Sequence, residues 1–232
     1  MINLRLDPVA VTRGFALVVA ALTVANGVGL VVYFTAGGYG DLGELFDVGL
    51  EGNIPTFYSG VALLISGALA WLHGLQARTA GDSWYRYWFG LAVVMAFLGV
   101  DDAVVIHEHF SDLFERFMTP EGVLYYLWVV PYSLLTLVFV AIYAQFLMSL
   151  PMATARRIVV AGAVFVAGAL GVEMIGAGVA DALSSSSLQF SVLYSIEELL
   201  EMTGVVLFIR ALLLHGAGDG GVWQIDIRAV DG

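Results

Sequence analysis

Three segments of this chain place carboxylates inside runs that are otherwise apolar. The first reads Gly99-Val-Asp101-Asp102-Ala-Val-Val-Ile-His107-Glu108-His109. The second carries Glu173 and ends near Asp181. The third reads Ile196-Glu197-Glu198-Leu-Leu-Glu201-Met-Thr-Gly204. Ionisable groups inside a membrane span are costly, and by default they mark function. Asp, Glu and His together form a donor set for a hard or borderline divalent ion such as Zn²⁺, Mn²⁺ or Fe²⁺. Crowded carboxylates in a low dielectric can instead hold protons. The candidate metal set is Asp101, Asp102, Glu108, His109, Glu173, Glu197, Glu198 and Glu201.

Helical spacing tests whether these groups can face one another. At about 100° per residue, Glu197, Glu198 and Glu201 fall at about 0°, 100° and 40°, on one arc. With Asp101 at 0°, an uninterrupted helix puts Asp102, Glu108 and His109 within an arc of about 120° and turns His107 away from it. Glu51 opens the second span on the same side and can reach the site. Asn53 reads as that span's N-cap.

The chain offers these acids few cationic partners. Of its 232 residues, 20 are acidic and 9 basic, for a net charge of −11. All nine cations are arginine, and there is no lysine. A retinal Schiff base needs a lysine amine, so a rhodopsin is excluded. There is no cysteine, which removes disulfides, thiolate metal sites and thiol nucleophiles. A lysine-free acidic chain suits a high-salt cytoplasm, a statement about solvent rather than activity.

The elements that must position the acids are membrane spans. The chain is 60% hydrophobic and only 12% charged, against about half and a quarter in a soluble domain. A soluble globule, a disordered chain and a nucleic-acid binder are excluded on that ground. A span needs roughly 20 mostly apolar residues. Six stretches qualify: Phe15 to Phe34, Ile54 to Leu72, Trp88 to about Ile106, Val123 to Leu147, Ile158 to Ala180 and about Phe190 to Leu214. Their uniform apolarity predicts helices rather than alternating barrel strands. The first is longer than a signal-peptide core and lacks a clear cleavage site, so it reads as an uncleaved helix.

The expected fold is therefore an all-α six-helix bundle over residues 1–215 with a short cytoplasmic tail, 216–232. Arg5, Arg13, Arg78, Arg86, Arg156, Arg157, Arg210 and Arg228 share one side, with Arg116 alone on the other. The positive-inside rule makes both termini cytoplasmic and places the protein in the cell membrane. The loop Thr35–Asn53, with Asp41, Glu44, Asp47 and Glu51, then faces out, and all three acid-bearing segments converge on the outer half. Trp84, Tyr85, Tyr87 and Trp88 read as one interfacial belt and Tyr125, Tyr126 and Trp128 as another. His73 and His215, at helix ends, read as interfacial. Ala163, Ala167 and Gly171 read as a small-residue packing stripe. No internal repeat is evident.

Several motifs carry no chemistry. Gly38-Tyr-Gly40-Asp-Leu-Gly43 matches G-x-G-x-x-G but follows a membrane helix, with no strand before it. Neither G-x-S-x-G nor H-E-x-x-H occurs.

The run Phe97-Leu-Gly-Val-Asp101-Asp102-Ala-Val-Val-Ile-His107-Glu108 resembles the L-S-x-D-E-A-x-x-x-H-E signature of a family of uncharacterised prokaryotic multi-pass membrane proteins. Ile196-Glu197-Glu198-Leu-Leu-Glu201-Met-Thr-Gly204 resembles its E-E-x-x-E-M-x-G signature, and Glu51 through Ser59 its opening of the second helix. Asp102 and Gly99 stand where that family has Glu and Ser. The resemblance covers about residues 51 to 212 and implies the same site residues without adding a reaction.

The leading expectation is an outer-leaflet carboxylate/histidine site binding a divalent metal cation, in a membrane-embedded metal-dependent enzyme acting on a lipid-borne substrate. The alternatives are an ion- or proton-coupled transporter and a non-catalytic structural or sensing component. The cytoplasmic halves of the spans carry no acids to continue a through-path, which favours a fixed site. Membrane lipid is the expected partner, homo-oligomerisation is open, and nucleic acid is excluded.

Overall fold

The computed structural model describes residues 2–40, 42–218 and 221–227. Asp41 and Arg228 lie outside the described residues. The chain is 79% helical, and six helices are long and apolar enough to cross a membrane. The order is β1 (Ile2–Leu6), α1 (Pro8–Ala36), α2 (Ile54–Thr79), α3 (Tyr85–Val104), α4 (Ile106–Phe114), α5 (Val129–Ser149), α6 (Met152–Ala182), α7 (Leu188–Ala217) and β2 (Trp223–Ile227). The starts of α1 and α2 have a local cause. Asp7 caps α1 by accepting from the Val9 N–H at 2.8 Å, with Pro8 at the first helical position, where no donor is needed. Asn53 caps α2 by accepting from the Thr56 N–H at 3.2 Å, as expected from sequence.

α7 is the central helix and packs against α1, α2 and α6. Its residues Ile209, Leu212 and Leu213 are fully buried. α2 and α3 meet through glycine: a Cβ on Gly60 would lie 3.1 Å from the Gly99 carbonyl oxygen, and one on Gly99 would lie 2.9 Å from that of Gly60. α6 and α7 meet likewise, since a Cβ on Gly204 would be 2.7 Å from Phe165.

Several sequence expectations change here. The small-residue stripe is not the packing face of α6: Ala163, Ala167 and Gly171 are exposed, while Ala161 and Gly168 are buried. Gly204 of α7 receives Phe165, and that seat fixes which side of α6 turns inward. The third helix stops at Val104 rather than Ile106, because Val105 adopts the left-handed conformation (φ 58°, ψ 42°). The fourth begins at Val129 rather than Val123. Gly122 has φ 57° and opens a single 3₁₀ turn, Gly122–Leu124, with its N–H bonded to Asp181 Oδ2 at 2.8 Å.

The tail is also more than an extension of an all-α bundle. β2 pairs antiparallel with β1, Leu6 opposite Trp223, so the two ends of the chain are tied together. Trp223 is 2% exposed and stacks on His73, ring centroids 4.4 Å apart and planes 6° from parallel. His73 is 4% exposed, with its Nε2 3.0 Å from the Leu212 carbonyl oxygen. His73 and Trp88 are therefore core residues rather than interfacial ones. His215, 5.0 Å from His73 between ring centroids, joins the same cluster.

Candidate functional site

The acids gather at the end of the bundle opposite that aromatic cluster. Two irregular turns shape the gathering. The first is the left-handed break at Val105. It ends α3 three residues after Asp102, and α4 begins immediately after it at Ile106. The second is a π-helical turn, Ala167–Val172, immediately before Glu173 in α6. A π-turn rotates the residues beyond it relative to a regular helix, and such turns are frequent at functional sites. Within it, Gly168 lets α6 lie directly on α7: a Cβ there would be 2.8 Å from the Glu197 carbonyl oxygen and 3.0 Å from Glu201 Cγ.

The break at Val105 corrects the facing expected for His107. On an uninterrupted helix its side chain would turn away; instead the left-handed Val105 brings His107 onto Asp101. The His107 N–H donates to Asp101 Oδ1 at 2.8 Å, and its Nδ1 lies 3.4 Å from the same oxygen. Tyr132 of α5 donates its hydroxyl to Asp101 Oδ2 at 2.9 Å. Both oxygens of Asp101, itself 5% exposed, are thus engaged. A carboxylate on one ring nitrogen fixes the imidazole and leaves Nε2 as the nitrogen free for a ligand or proton. Burial disfavours the charged imidazole, but the Asp101 carboxylate, with Glu51 and Glu108, outweighs it and raises the His107 pKa.

Asp102 points the other way, toward α2. Its Oδ2 is buried without a hydrogen-bond partner among the described residues and lies 3.6 Å from where a Cβ on Gly60 would stand. Leaving a buried acceptor unsatisfied costs about 1–3 kcal/mol. Glu198 and Glu201 lie within electrostatic reach of Asp102, Glu51 and Glu173. Glu173 stands beside Glu197, Trp128 and His107. Glu197, Glu198 and Glu201 are all half-buried, on the shared arc that their spacing predicts. Desolvation pushes the Glu51 carboxyl up; His107 opposes this, and Glu108 and Asp101 add to it.

Glu108 and His109 are exposed on α4, and His109 Nδ1 sits 3.0 Å from the Val105 carbonyl oxygen of its own turn. Asp101, Asp102, Glu173, Glu197, Glu198 and Glu201 thus lie in one electrostatically coupled layer, with Glu51 and the exposed Glu108 at its edge, while His109 bonds only within its own turn. His107 and Tyr132 join them without having been expected. A polar tyrosine in an apolar span was a readable signal; the left-handed residue that delivers His107 was not.

Among the described residues, His107–Asp101 is the only ion-pair contact between a basic group and a carboxylate. Among those same residues, no three His, Asp or Glu side chains converge on one point that could hold a metal ion.

No curated protein and no solved structure matches the chain. A family model does match, over residues 15–216, which takes in nearly all of the six spans and every candidate site acid. The chain belongs to the family described as Domain of unknown function (DUF8692).

Proposed function

We propose that this protein is a cell-membrane protein whose buried carboxylates bind a divalent cation at the acid-bearing end, with both termini cytoplasmic and the acids in the outer half. The observation that carries the reading is Asp102: its Oδ2 is buried and, among the described residues, unpartnered, in a layer of acids that no described arginine pairs. Charge so placed needs a cation or a proton. Asp102, Glu198, Glu201 and Glu173 supply oxygen donors, and His107 supplies an imidazole nitrogen already oriented by Asp101. A divalent ion bound there would serve as a Lewis acid or activate water against a lipid-borne substrate.

The test is substitution of Glu198→Gln and Glu201→Gln in detergent-purified protein, with elemental analysis and melting in metal-replete and chelated buffer. A bound ion stabilises the folded state by about 2.7 kcal/mol at a hundredfold excess over Kd. Each variant is expected to lose both the metal and that difference. If the carboxylates are protonated packing groups, Gln imitates the neutral acid and stability holds or rises. Unchanged melting in both buffers overturns the metal site.

A second reading rests on the lack of three converging donors among the described residues. Carboxylates spread along a layer suit stepwise proton or ion transfer, as in a coupled transporter. Metal-free protein with proton-dependent uptake in vesicles would establish it. For orientation, single cysteines at Ser83 and Ser185, exposed at opposite ends of the bundle, suffice in a chain that has none. Labelling of position 185 and not 83 by an impermeant reagent in intact cells is expected; the reverse puts the acids inside.

A further inference from the structure

At the acid-bearing end, a groove of about 610 Å³ opens between α1 and the segment leading to α2. That is the size of a ligand site, roughly 300–1,000 Å³. Its floor is one stripe of α1, Ala25, Val28, Gly29 and Val32, and its wall is made by Tyr39 and Phe46. We propose that this groove holds one acyl chain of a bilayer lipid. The proposal goes beyond the cation reading and does not depend on it.

Three observations fix the chemistry of the occupant. First, the groove is continuous with the apolar face of a span-length helix. Leu17, Val24 and Val31 of α1 are 71%, 66% and 64% exposed, and Val28, which enters the groove, is 60% exposed. In a helix of mean hydropathy 2.3, such a face is bathed by hydrocarbon. Second, the polar groups behind the groove are committed elsewhere. The Tyr39 hydroxyl donates to the buried Asp47. Asn26 donates to Ser195 Oγ at 2.8 Å and accepts from the Val48 N–H at 3.2 Å. Among the described residues, the side chains lining the groove therefore offer an occupant methyl and ring surface in place of hydrogen bonds. Third, the wall is braced. The Tyr39 ring lies over Gly43, where a Cβ would come within 2.8 Å of it, and packs on Tyr33 at 4.7 Å between centroids. A braced, apolar, lipid-facing groove cannot close on itself and cannot be filled favourably by water.

Gly29 gives the test. A Cβ there meets only ordinary contacts, 3.8 Å from the Gly43 carbonyl oxygen and the Tyr39 ring, so a larger side chain projects into the groove. Gly27, two residues earlier, has nothing within 4 Å of its Cβ and serves as the control. Protein reconstituted in vesicles of equal parts phosphatidylglycerol and phosphatidylcholine would be released into mild detergent, and retained lipid counted by native mass spectrometry. The wild type and Gly27→Leu should each keep one phospholipid per chain, and Gly29→Leu should keep about tenfold less, equivalent to about 1.4 kcal/mol of lost affinity. Equal retention in Gly29→Leu overturns the proposal. So does a lipid-free dimer that Gly29→Leu disperses, which would assign the groove to a second copy. Should Gly29→Leu not fold, lipid-stripped wild type titrated with phosphatidylglycerol decides: a rise in melting temperature saturating at one lipid per chain is expected, and no saturable rise overturns it.

Discussion

At the arginine-bearing end of the bundle, two histidines and two tryptophans pack ring on ring, and the buried Trp223 comes from a strand that ties the tail to the N-terminus. At the other end, a carboxylate oxygen is buried without a partner, and two helices depart from regular geometry within a few residues of acids. Among the described residues, the first end leaves no buried side-chain polar atom without a partner, and the second leaves one, Asp102 Oδ2. Departures from local consistency concentrate where a protein does its work and are supported by packing elsewhere. On the function proposed above, the aromatic end would hold the fold and the acid end would bind the cation.

The most direct challenge to this contrast attacks the end assigned to stability. Trp223→Ala removes a side chain that is 2% exposed and stacked on His73. A core Trp→Ala change costs about 3–5 kcal/mol, so denaturant unfolding in detergent should show a loss of that size. A loss below about 1 kcal/mol would mean that the tail is an appendage. Next in size is Gly168→Ala, which sets a methyl 2.8 Å from the Glu197 carbonyl oxygen. Overpacking costs about 1–3 kcal/mol, and because it separates α6 from α7 at Glu197 and Glu201 it should also disturb any ligand response of the acid end. Unchanged stability and unchanged response would show that the close approach has no role in placing the acids.

The third change should act in the opposite direction. Val105 is β-branched and holds the left-handed conformation, which costs roughly 1–2 kcal/mol in a non-glycine residue. Glycine adopts it freely, at some entropic cost in the unfolded chain. Val105→Gly should therefore raise stability by up to about 1 kcal/mol while leaving the His107–Asp101 pair in place. A destabilised Val105→Gly would show that valine packing, rather than backbone strain, decides the position.

How legible this arrangement was in the sequence depended on the range of each signal. The six spans were readable because hydrocarbon demands long apolar runs, and Asn53 because a cap is local chemistry. The arc of Glu197, Glu198 and Glu201 held because α7 runs unbroken through it. His107 was misplaced for the opposite reason: the 100° step fails at Val105, and nothing in Ala103-Val104-Val105-Ile106 announces a left-handed residue. His73 was misplaced because it stacks on Trp223, far along the chain, through a strand pairing that neither short segment announces alone, and Trp88 because it packs on Phe146 and His215, also distant in sequence.

The weakest effect is the one that tests whether Asp101 and His107 act as a charged pair. Their contact raises the His107 pKa, since the Asp101 carboxylate outweighs the cost of burial. A raised folded-state pKa means that the pair's stabilisation is fully present below the unfolded histidine value, about 6.5, and is lost as pH rises through the higher folded value. Asp101→Asn keeps the Oδ1 acceptor for the His107 N–H but removes the charge. Melting temperature measured from mildly acid to mildly alkaline pH should fall across that window in the wild type and stay flatter in Asp101→Asn, with the two curves converging on the alkaline side once His107 is neutral in both. His107→Gln should flatten the curve in the same way, and the double variant should add nothing further. Parallel curves for wild type and Asp101→Asn would mean that His107 carries no charge beside Asp101, so that the carboxylate serves only to hold the left-handed turn at Val105 in place.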